Sequence, residues 1–222
     1  KWVALVQMEA DSRSKSPTGP PIGLDVGVKH FLTDSEGRQI ENPRFYENTL
    51  HKIRSRHRQL SRKQQGSKNR GKAKLRLAKA YEKLVNQRDD FLHKLSRFYI
   101  DNHEIIAVEA LQIRNMVKNR RLAQQILDAS WGKFLQLLTY KAESADKVVV
   151  KVNPRGTSQE YHFGALDRDY NAALNILARG LAGLGQPAAP VERTPLRCVS
   201  SSEVVTGQVF AMKQEAPCVS GG

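Results

Sequence analysis

Three carboxylates stand where carboxylates are costly. Asp25 interrupts the apolar run Ile22-Gly23-Leu24-Asp25-Val26-Gly27-Val28, Glu109 closes Ile105-Ile106-Ala107-Val108, and Asp169 opens the stretch Asp169-Tyr170-Asn171-Ala172-Ala173. A lone acid in an apolar strand costs several kcal/mol unless it is paired or bound to metal. Acids from three separate elements, each at a strand or helix end, are suited to converge around hard cations. Mg²⁺ takes oxygen ligands in octahedral geometry and keeps waters and substrate phosphate oxygens in its shell. Two such ions about 4 Å apart activate water and stabilise the leaving oxygen in phosphodiester hydrolysis. Each acid also has a plainer reading. Asp25 can end a strand facing solvent, Glu109 can be an exposed or helix-capping acid, and Asp169 can be a first-turn charge complementing the helix dipole. Asp167 is a substitute for Asp169. The coincidence of three is more specific than any one of them.

A second signal is electrostatic. The 222 residues include 36 Lys and Arg against 22 Asp and Glu, a formal net charge of +14. Residues 48–80 hold twelve of the bases and no acid: Lys52, Arg54, Arg56, Arg58, Arg62, Lys63, Lys68, Arg70, Lys72, Lys74, Arg76 and Lys79. Elsewhere the chain is nearly balanced, with 24 basic and 22 acidic residues. A field of one sign this dense repels itself and attracts polyanions. Nucleic acid is the expected partner, held by its phosphates with release of counterions. The alternative is a solvated helical face, against which the complete absence of acids weighs.

Placing three carboxylates together requires strands and a helix, and the hydrophobic spacing supplies them. Residues 2–8 read as a short strand and 11–21 as a Ser/Pro/Gly loop. Residues 22–28, 31–33 and 39–40 read as a three-strand meander with a turn at Gly37, closed by Asn42-Pro43. Leu50, Ile53, His57 and Leu60 recur at intervals of three and four, predicting a helix over 45–64. After a break at 65–71, a second helix is predicted over about 72–100, with Leu77, Ala80, Leu84, Phe91, Leu95 and Phe98 on one stripe. The two basic helices form a hairpin inserted at about 45–100. Residues 105–108 are a buried strand, 115–121 a polar loop, and 122–145 one amphipathic helix with Ile126, Trp131, Phe134, Leu138 and Ala142 inward. A strand over 147–152 stops at Asn153-Pro154, 155–166 is irregular, and 169–178 is a helix. The order βββ–αα–β–α–β–α is that of a mixed α/β sheet, not an alternating doubly wound one. Residues 181–222 are expected to be a disordered tail, because their apolar periodicity is too weak to offset ordering entropy. That leaves 1–180 as the folded domain.

Several classes drop out. No apolar run approaches the roughly 20 residues of a membrane span, and no membrane partner is expected. Residues 2–6 are too short for the apolar region of a secretory signal. Cys198 and Cys218 are too few for a disulfide framework or a four-cysteine zinc site. Gly66-Ser67-Lys68-Asn69-Arg70-Gly71-Lys72-Ala73 comes near a phosphate-binding loop, but Ala73 stands where the Mg²⁺-binding hydroxyl belongs and no apolar strand precedes it. A basic inter-helix turn is the better reading. His57 and His93 lack ligand-spaced partners, and His162 has no Cys neighbours. Trp131 and Phe134 are expected in the core. Tyr161 and Phe163 read as loop anchors, with stacking on bases the other option.

Beyond the carboxylates, longer segments match in order. Gly23-Leu24-Asp25-Val26-Gly27, Leu60-Ser61-Arg62-Lys63 with Gly66-Ser67-Lys68-Asn69-Arg70, Asp90-Phe91-Leu92-His93-Lys94-Leu95-Ser96, Val108-Glu109-Ala110-Leu111, Asn153-Pro154-Arg155-Gly156-Thr157-Ser158-Gln159 and the run from Asp167 to Ile176 closely resemble the TnpB/OrfB family of insertion-sequence-encoded accessory transposases. The likeness covers about residues 1–180. It implies a RuvC-type, ribonuclease H-like nuclease domain related to type V CRISPR effectors, in a prokaryotic, cytoplasmic and nucleoid-associated setting. It implies metal-dependent cleavage of DNA directed by a guide RNA, with two Mg²⁺ (or Mn²⁺) ions on Asp25, Glu109 and Asp169. Arg155, Thr157 and Ser158 fall in the family's segment near the cleaved strand. Two departures stand out. The family's paired C-x-x-C zinc ribbon is replaced by the seven residues 160–166, without cysteine, so no structural zinc is expected. The family's large region that grips guide RNA and target duplex precedes the first nuclease strand, whereas this sequence starts just before that strand.

Three functions follow for comparison. The first is a metal-dependent endonuclease core in which Asp25 bridges two ions and the basic hairpin holds phosphates without reading sequence. The second is a catalytically silent nucleic-acid-binding remnant or regulator of transposition. The third is a sugar-kinase or actin-like ATPase, which also opens on a G-x-D-x-G strand. It needs a second lobe and later glycine turns that about 180 foldable residues do not provide.

Overall fold

The computed structural model describes residues 19–157, 167–187 and 195–206. Six strands run β1 (Ile22–Val26), β2 (His30–Asp34), β3 (Arg38–Glu41), β4 (Ile105–Glu109), β5 (Val148–Val152) and β6 (Arg197–Val199). The helices are α1 (Phe45–Ser61), α2 (Lys68–Asn102), α3 (Ile113–Met116), α4 (Ala123–Ala129), α5 (Trp131–Glu143), α6 (Arg168–Gly183) and α7 (Ser201–Thr206). One sheet holds all six described strands in the order β5-β4-β1-β2-β3-β6. The meander β1-β2-β3 is antiparallel, while β4 pairs parallel with β1, β5 with β4, and β6 with β3. The fold is thus a mixed α/β sheet, as the spacing predicts. Among the described residues no helix is long and apolar enough to cross a membrane.

The meander is fastened by one buried acid. Asp34 Oδ1 accepts from the backbone N–H of Glu36 and Arg38 across the Gly37 turn, where φ is 81°. Its Oδ2 accepts from the Arg38 guanidinium and the Tyr99 hydroxyl, tying the turn to α2.

Strand alternation gives the sheet two unlike faces. Ile22, Leu24, Ile106 and Val108 join the large core with the C-terminal half of α2 and with α5. Phe31 sits at its centre, edge-on to Phe91 at 5.1 Å and Phe134 at 5.4 Å. The opposite face carries Gly23 and Ala107, and α6 lies on it. A Cβ at Gly23 would stand 2.2 Å from the Ala173 carbonyl oxygen, and one at Gly180 would stand 2.6 Å from Ala107 Cβ. Small residues on both partners therefore set how closely α6 approaches. Ile105 with Leu177 and Leu181, and Ala107 with Val152 and Ile176, complete this thinner layer.

The hairpin is present, with a longer second helix than the spacing predicts. Lys68–Asn102 starts four residues earlier because Ser67 caps it, its side chain accepting from the Arg70 N–H. The C-terminal half of this helix belongs to the core. Its N-terminal half pairs with α1, where Ile53, Leu77 and Leu84 bury against Phe45, Tyr46 and Leu60.

Three expectations are corrected. The helix predicted over 122–145 is two helices, broken where Ser130 adopts the left-handed conformation (φ 57°). The polar loop expected over 115–121 begins inside the short helix α3. The tail after 180 is not wholly without structure. Helix α6 continues to Gly183, β6 extends the sheet beside β3, and Val199 and Val204 are buried in the core. Two apolar side chains and three parallel backbone pairs carry that order, too short a signal for periodicity to register. The strand expected over 2–8, most of the loop over 11–21, and the rest of the tail (188–194 and 207–222) lie outside the described residues.

Gly23→Ala tests the close approach of α6. The added methyl meets backbone at 2.2 Å, so the helix must shift, and overpacking of this kind costs about 1–3 kcal/mol or more. Urea denaturation is expected to show a loss of at least about 2 kcal/mol, whereas Gly71→Ala, with nothing within 4 Å of its Cβ, is expected to stabilise α2 slightly.

Candidate functional site

The parallel register brings two acids side by side. Gly23 pairs with Ala107 and Leu24 with Val108, so the next step along each strand sets Asp25 beside Glu109. Adjacent strands are about 4.8 Å apart. Glu109 ends β4 and Asp25 stands one residue before the end of β1, and Glu109 in turn pairs with Val152 of β5. The third acid arrives from above. Ala173 and Leu177 of α6 face Gly23, and Asp169 lies one turn before Ala173 on the same helix stripe. The helix therefore begins over the strand ends that carry Asp25 and Glu109.

Electrostatics show the convergence. Half-buried Asp25 has its carboxyl pushed from 3.8 up to about 8, first by burial, then by the charge of Glu109, then by that of Asp169, with Arg168 pulling the other way. Glu109 is oriented by Thr157, whose hydroxyl donates to Glu109 Oε1. Thr157 is itself anchored by the Asn175 amide, which donates to its carbonyl at 2.8 Å. Among the described residues, however, no three His, Cys, Asp or Glu side chains stand close enough to cage a single metal ion. The three acids share a field without forming one tight ligand set.

Asp167 and Asp169 differ in their partners. Asp167 caps α6, its Oδ1 accepting from the N–H groups of Asp169 and Tyr170, with the Gln39 amide at 3.4 Å. Asp169 is the one that acts on Asp25, and its first-turn position suits a negative charge.

The basic residues are placed less uniformly. Lys52, Arg54, Arg58, Arg62, Lys63, Lys68, Lys72, Lys74, Arg76 and Lys79 are exposed along the hairpin, and Arg56 and Arg70 are half-buried. Arg70 closes the hairpin tip, donating to the carbonyls of Leu60 and Lys63. No ion pair among the described residues includes any of the twelve. Arg155 is exposed, but Thr157, expected near the cleaved strand, is fully buried with its hydroxyl on Glu109. Ser158, like Tyr161, His162 and Phe163, lies outside the described residues. Of the remaining candidates, His57 bonds Tyr81 at 2.9 Å across the hairpin, and Trp131 and Phe134 are core.

Sequence reasoning missed three features. Arg168 stands beside the acids and acts on Asp25. Residues 110–127 contain Arg114, Lys118, Arg120 and Arg121, all exposed, and no acid, directly after Glu109. The same count of like charges that marked 48–80 finds them. Asp128 is the third. Its carboxylate accepts from the N–H groups of Tyr46 and Glu47 at the start of α1 and from Arg88 of α2 at 2.8 Å. It fixes the hairpin root, because Arg44 at the α1 N-cap offers no side-chain bond. No local pattern announces a cap 82 residues away.

Asp25 gives a pH signature. Its pKa is higher folded than unfolded, so the native chain holds a proton that the unfolded chain releases. Stability then falls as pH rises from about 4 to about 8. At about 1.4 kcal/mol per unit, less some relief from solvent, the loss is on the order of 4 kcal/mol. Asp25→Asn is expected to melt with wild type at pH 4 and roughly 10 °C above it at pH 9 in EDTA. Buried Asp34, also shifted upward, is common to both proteins and cancels. Identical melting at both pH values contradicts the shift.

Known proteins give a consistent comparison. A family model described as "Probable transposase" (OrfB of IS605) matches residues 5–120, more than half of the chain, and one described as "Cas12f1-like, TNB domain" matches residues 131–176. A Streptomyces pristinaespiralis protein named "Putative RNA-guided DNA endonuclease" is 31% identical over 82% of this chain and 50% of its own length. The Escherichia coli K12 protein InsQ, with the same descriptive name, is 28% identical over 91% of this chain and 61% of its own. The chain thus spans about half to three-fifths of these curated relatives. From these matches, the chain belongs to the TnpB/OrfB family of insertion-sequence transposon proteins.

Proposed function

We propose that this chain is the metal-dependent endonuclease core of an RNA-guided transposon protein, hydrolysing DNA phosphodiesters at Asp25, Glu109 and Asp169. The single observation that carries the reading is the parallel β1–β4 register that sets Asp25 beside Glu109, with Asp169 near enough to push the Asp25 pKa further up. Like charges held together at the ends of parallel strands are costly without a cation, and the relatives are named as endonucleases. The sheet supports a ribonuclease H-like, RuvC-type fold: an antiparallel meander continued by parallel β4 and β5, with an acid one residue before the end of β1 and another at the end of β4.

The donor set suits Mg²⁺ or Mn²⁺, being all oxygen and negative. Asp25, Glu109 and Asp169 would hold the ions between them, although among the described residues no three such side chains stand close enough to cage one ion. Divalent ions supply Lewis acidity and lower the pKa of bound water. The chain's own residues do the rest. Asp25 would have to give up its proton to hold a cation, Thr157 holds Glu109 in one orientation, Asp167 fixes the first turn of α6 and so the place of Asp169, and Arg168 adds a positive charge beside Asp25 that would favour a phosphate. DNA and a guide RNA are the partners, gripped through the hairpin phosphate by phosphate.

A nicking assay on labelled single-stranded DNA with Mg²⁺ or Mn²⁺ tests this. Asp25→Ala and Asp169→Asn are expected to lower the rate more than about 100-fold, whereas Asp167→Asn, which keeps a capping side chain, is expected to stay within about fivefold. Salt-dependent binding without cation-dependent nicking would instead favour the silent nucleic-acid-binding reading.

A further inference from the structure

The hairpin has two unlike sides. On one, the helices bury Ile53, Leu77 and Leu84. On the other they leave a groove of about 400 Å³. Helix α1 lines it with Asn48, Lys52 and Arg56, at intervals of four. Helix α2 lines it with Arg76, Lys79, Lys83 and Gln87, and Ala80 lies between them as a small floor. Five cations therefore face one cleft whose lining includes no acid. A second hollow, along α1 alone, is different in kind, being lined by Glu47 and two histidines as well as by arginines.

Five like charges around one cleft repel one another and favour whatever negative group enters. Among the described residues, no ion pair includes any of the five. Amide side chains at the end nearer the sheet, Asn48 and Gln87, add neutral donors. The eight steps from residue 48 to residue 56 rise about 12 Å, a span of roughly three phosphates along a duplex strand.

From this geometry we infer that the groove seats one phosphodiester backbone, with Lys83 and Gln87 completing a site that the acid-free block 48–80 only partly contains. The inference rests on the hairpin facing nucleic acid and not on the carboxylates being a metal centre. It divides the basic residues into those that hold a strand in register and those at the tip that only raise the local field.

The test is fluorescence anisotropy in EDTA with labelled single-stranded RNA, single-stranded DNA and duplex DNA between about 50 and 200 mM salt. A groove variant (Lys52, Arg76, Lys79 and Lys83→Gln) is compared with a tip variant (Arg58, Arg62, Lys63 and Lys68→Gln) of equal charge loss. All eight side chains are exposed, and circular dichroism melting checks that both variants fold. The groove variant is expected to flatten the slope of log affinity against log salt by roughly 3, and the tip variant by less than about 1. A single Lys83→Glu, outside the acid-free block, is expected to weaken binding at least about tenfold at the lowest salt. A larger loss on RNA than on DNA identifies the seated strand as RNA, and the reverse identifies it as DNA. Equal slopes for the two variants, or an unchanged slope in the groove variant, overturn the site. The assay involves no cleavage, so its failure leaves the nuclease reading standing, and a chain that never nicks can still pass it.

Discussion

Helix α6 lies so near β1 that one methyl group at Gly23 would collide with its backbone. The remaining architecture depends on that contact. Close packing brings the first turn of the helix over the ends of β1 and β4, and only there can Asp169 act on Asp25. Gly23, Ala107, Ala173 and Gly180 are small on the two surfaces that meet. A bulkier pair of surfaces would hold Asp169 farther from the two strand acids. The cost of the arrangement appears as the displaced titration of Asp25, which a divalent ion would relieve. Packing, electrostatics and the proposed chemistry are consequences of one another here.

A second constraint joins the site to the hairpin. Asp128 binds the first turn of α1 and Arg88 of α2 at once, and it belongs to the segment that leaves Glu109. The basic helices are thus anchored to the same stretch of chain that departs from the carboxylates, and that stretch carries four exposed bases of its own. Helix α2, with one half in the core and one half in the hairpin, gives the projection a rigid base.

The sequence made the acids, the basic block and the strand–helix order legible because each is written locally. An acid inside an apolar run is visible without knowing its neighbours, as is a block of twelve bases without an acid. Whether Asp25, Glu109 and Asp169 share a field depends on the β1–β4 register and on the depth of α6, and neither is local. The role of Thr157 was not legible for the same reason: its hydroxyl meets Glu109 only after the chain has turned at Gly156. Asp128 was invisible because its partners lie 40 and 82 residues away. The break at Ser130 was hidden by an apolar stripe that runs across both helices without interruption. The strand β6 was missed because three residues offer no period, and its order comes from the exposed edge of β3.

The central claim of the proposed reading is that Asp25, under the charge of Glu109 and Asp169, gives up a proton when divalent cations bind. Calorimetric titration of Mn²⁺ into the wild-type chain near pH 7, repeated in buffers of different ionisation enthalpy, measures this directly through the protons released on binding. The account predicts saturable binding with close to one proton released from Asp25, and loss of both the release and most of the affinity in Asp25→Asn. Binding without proton release, or equal binding to the variant, would contradict it.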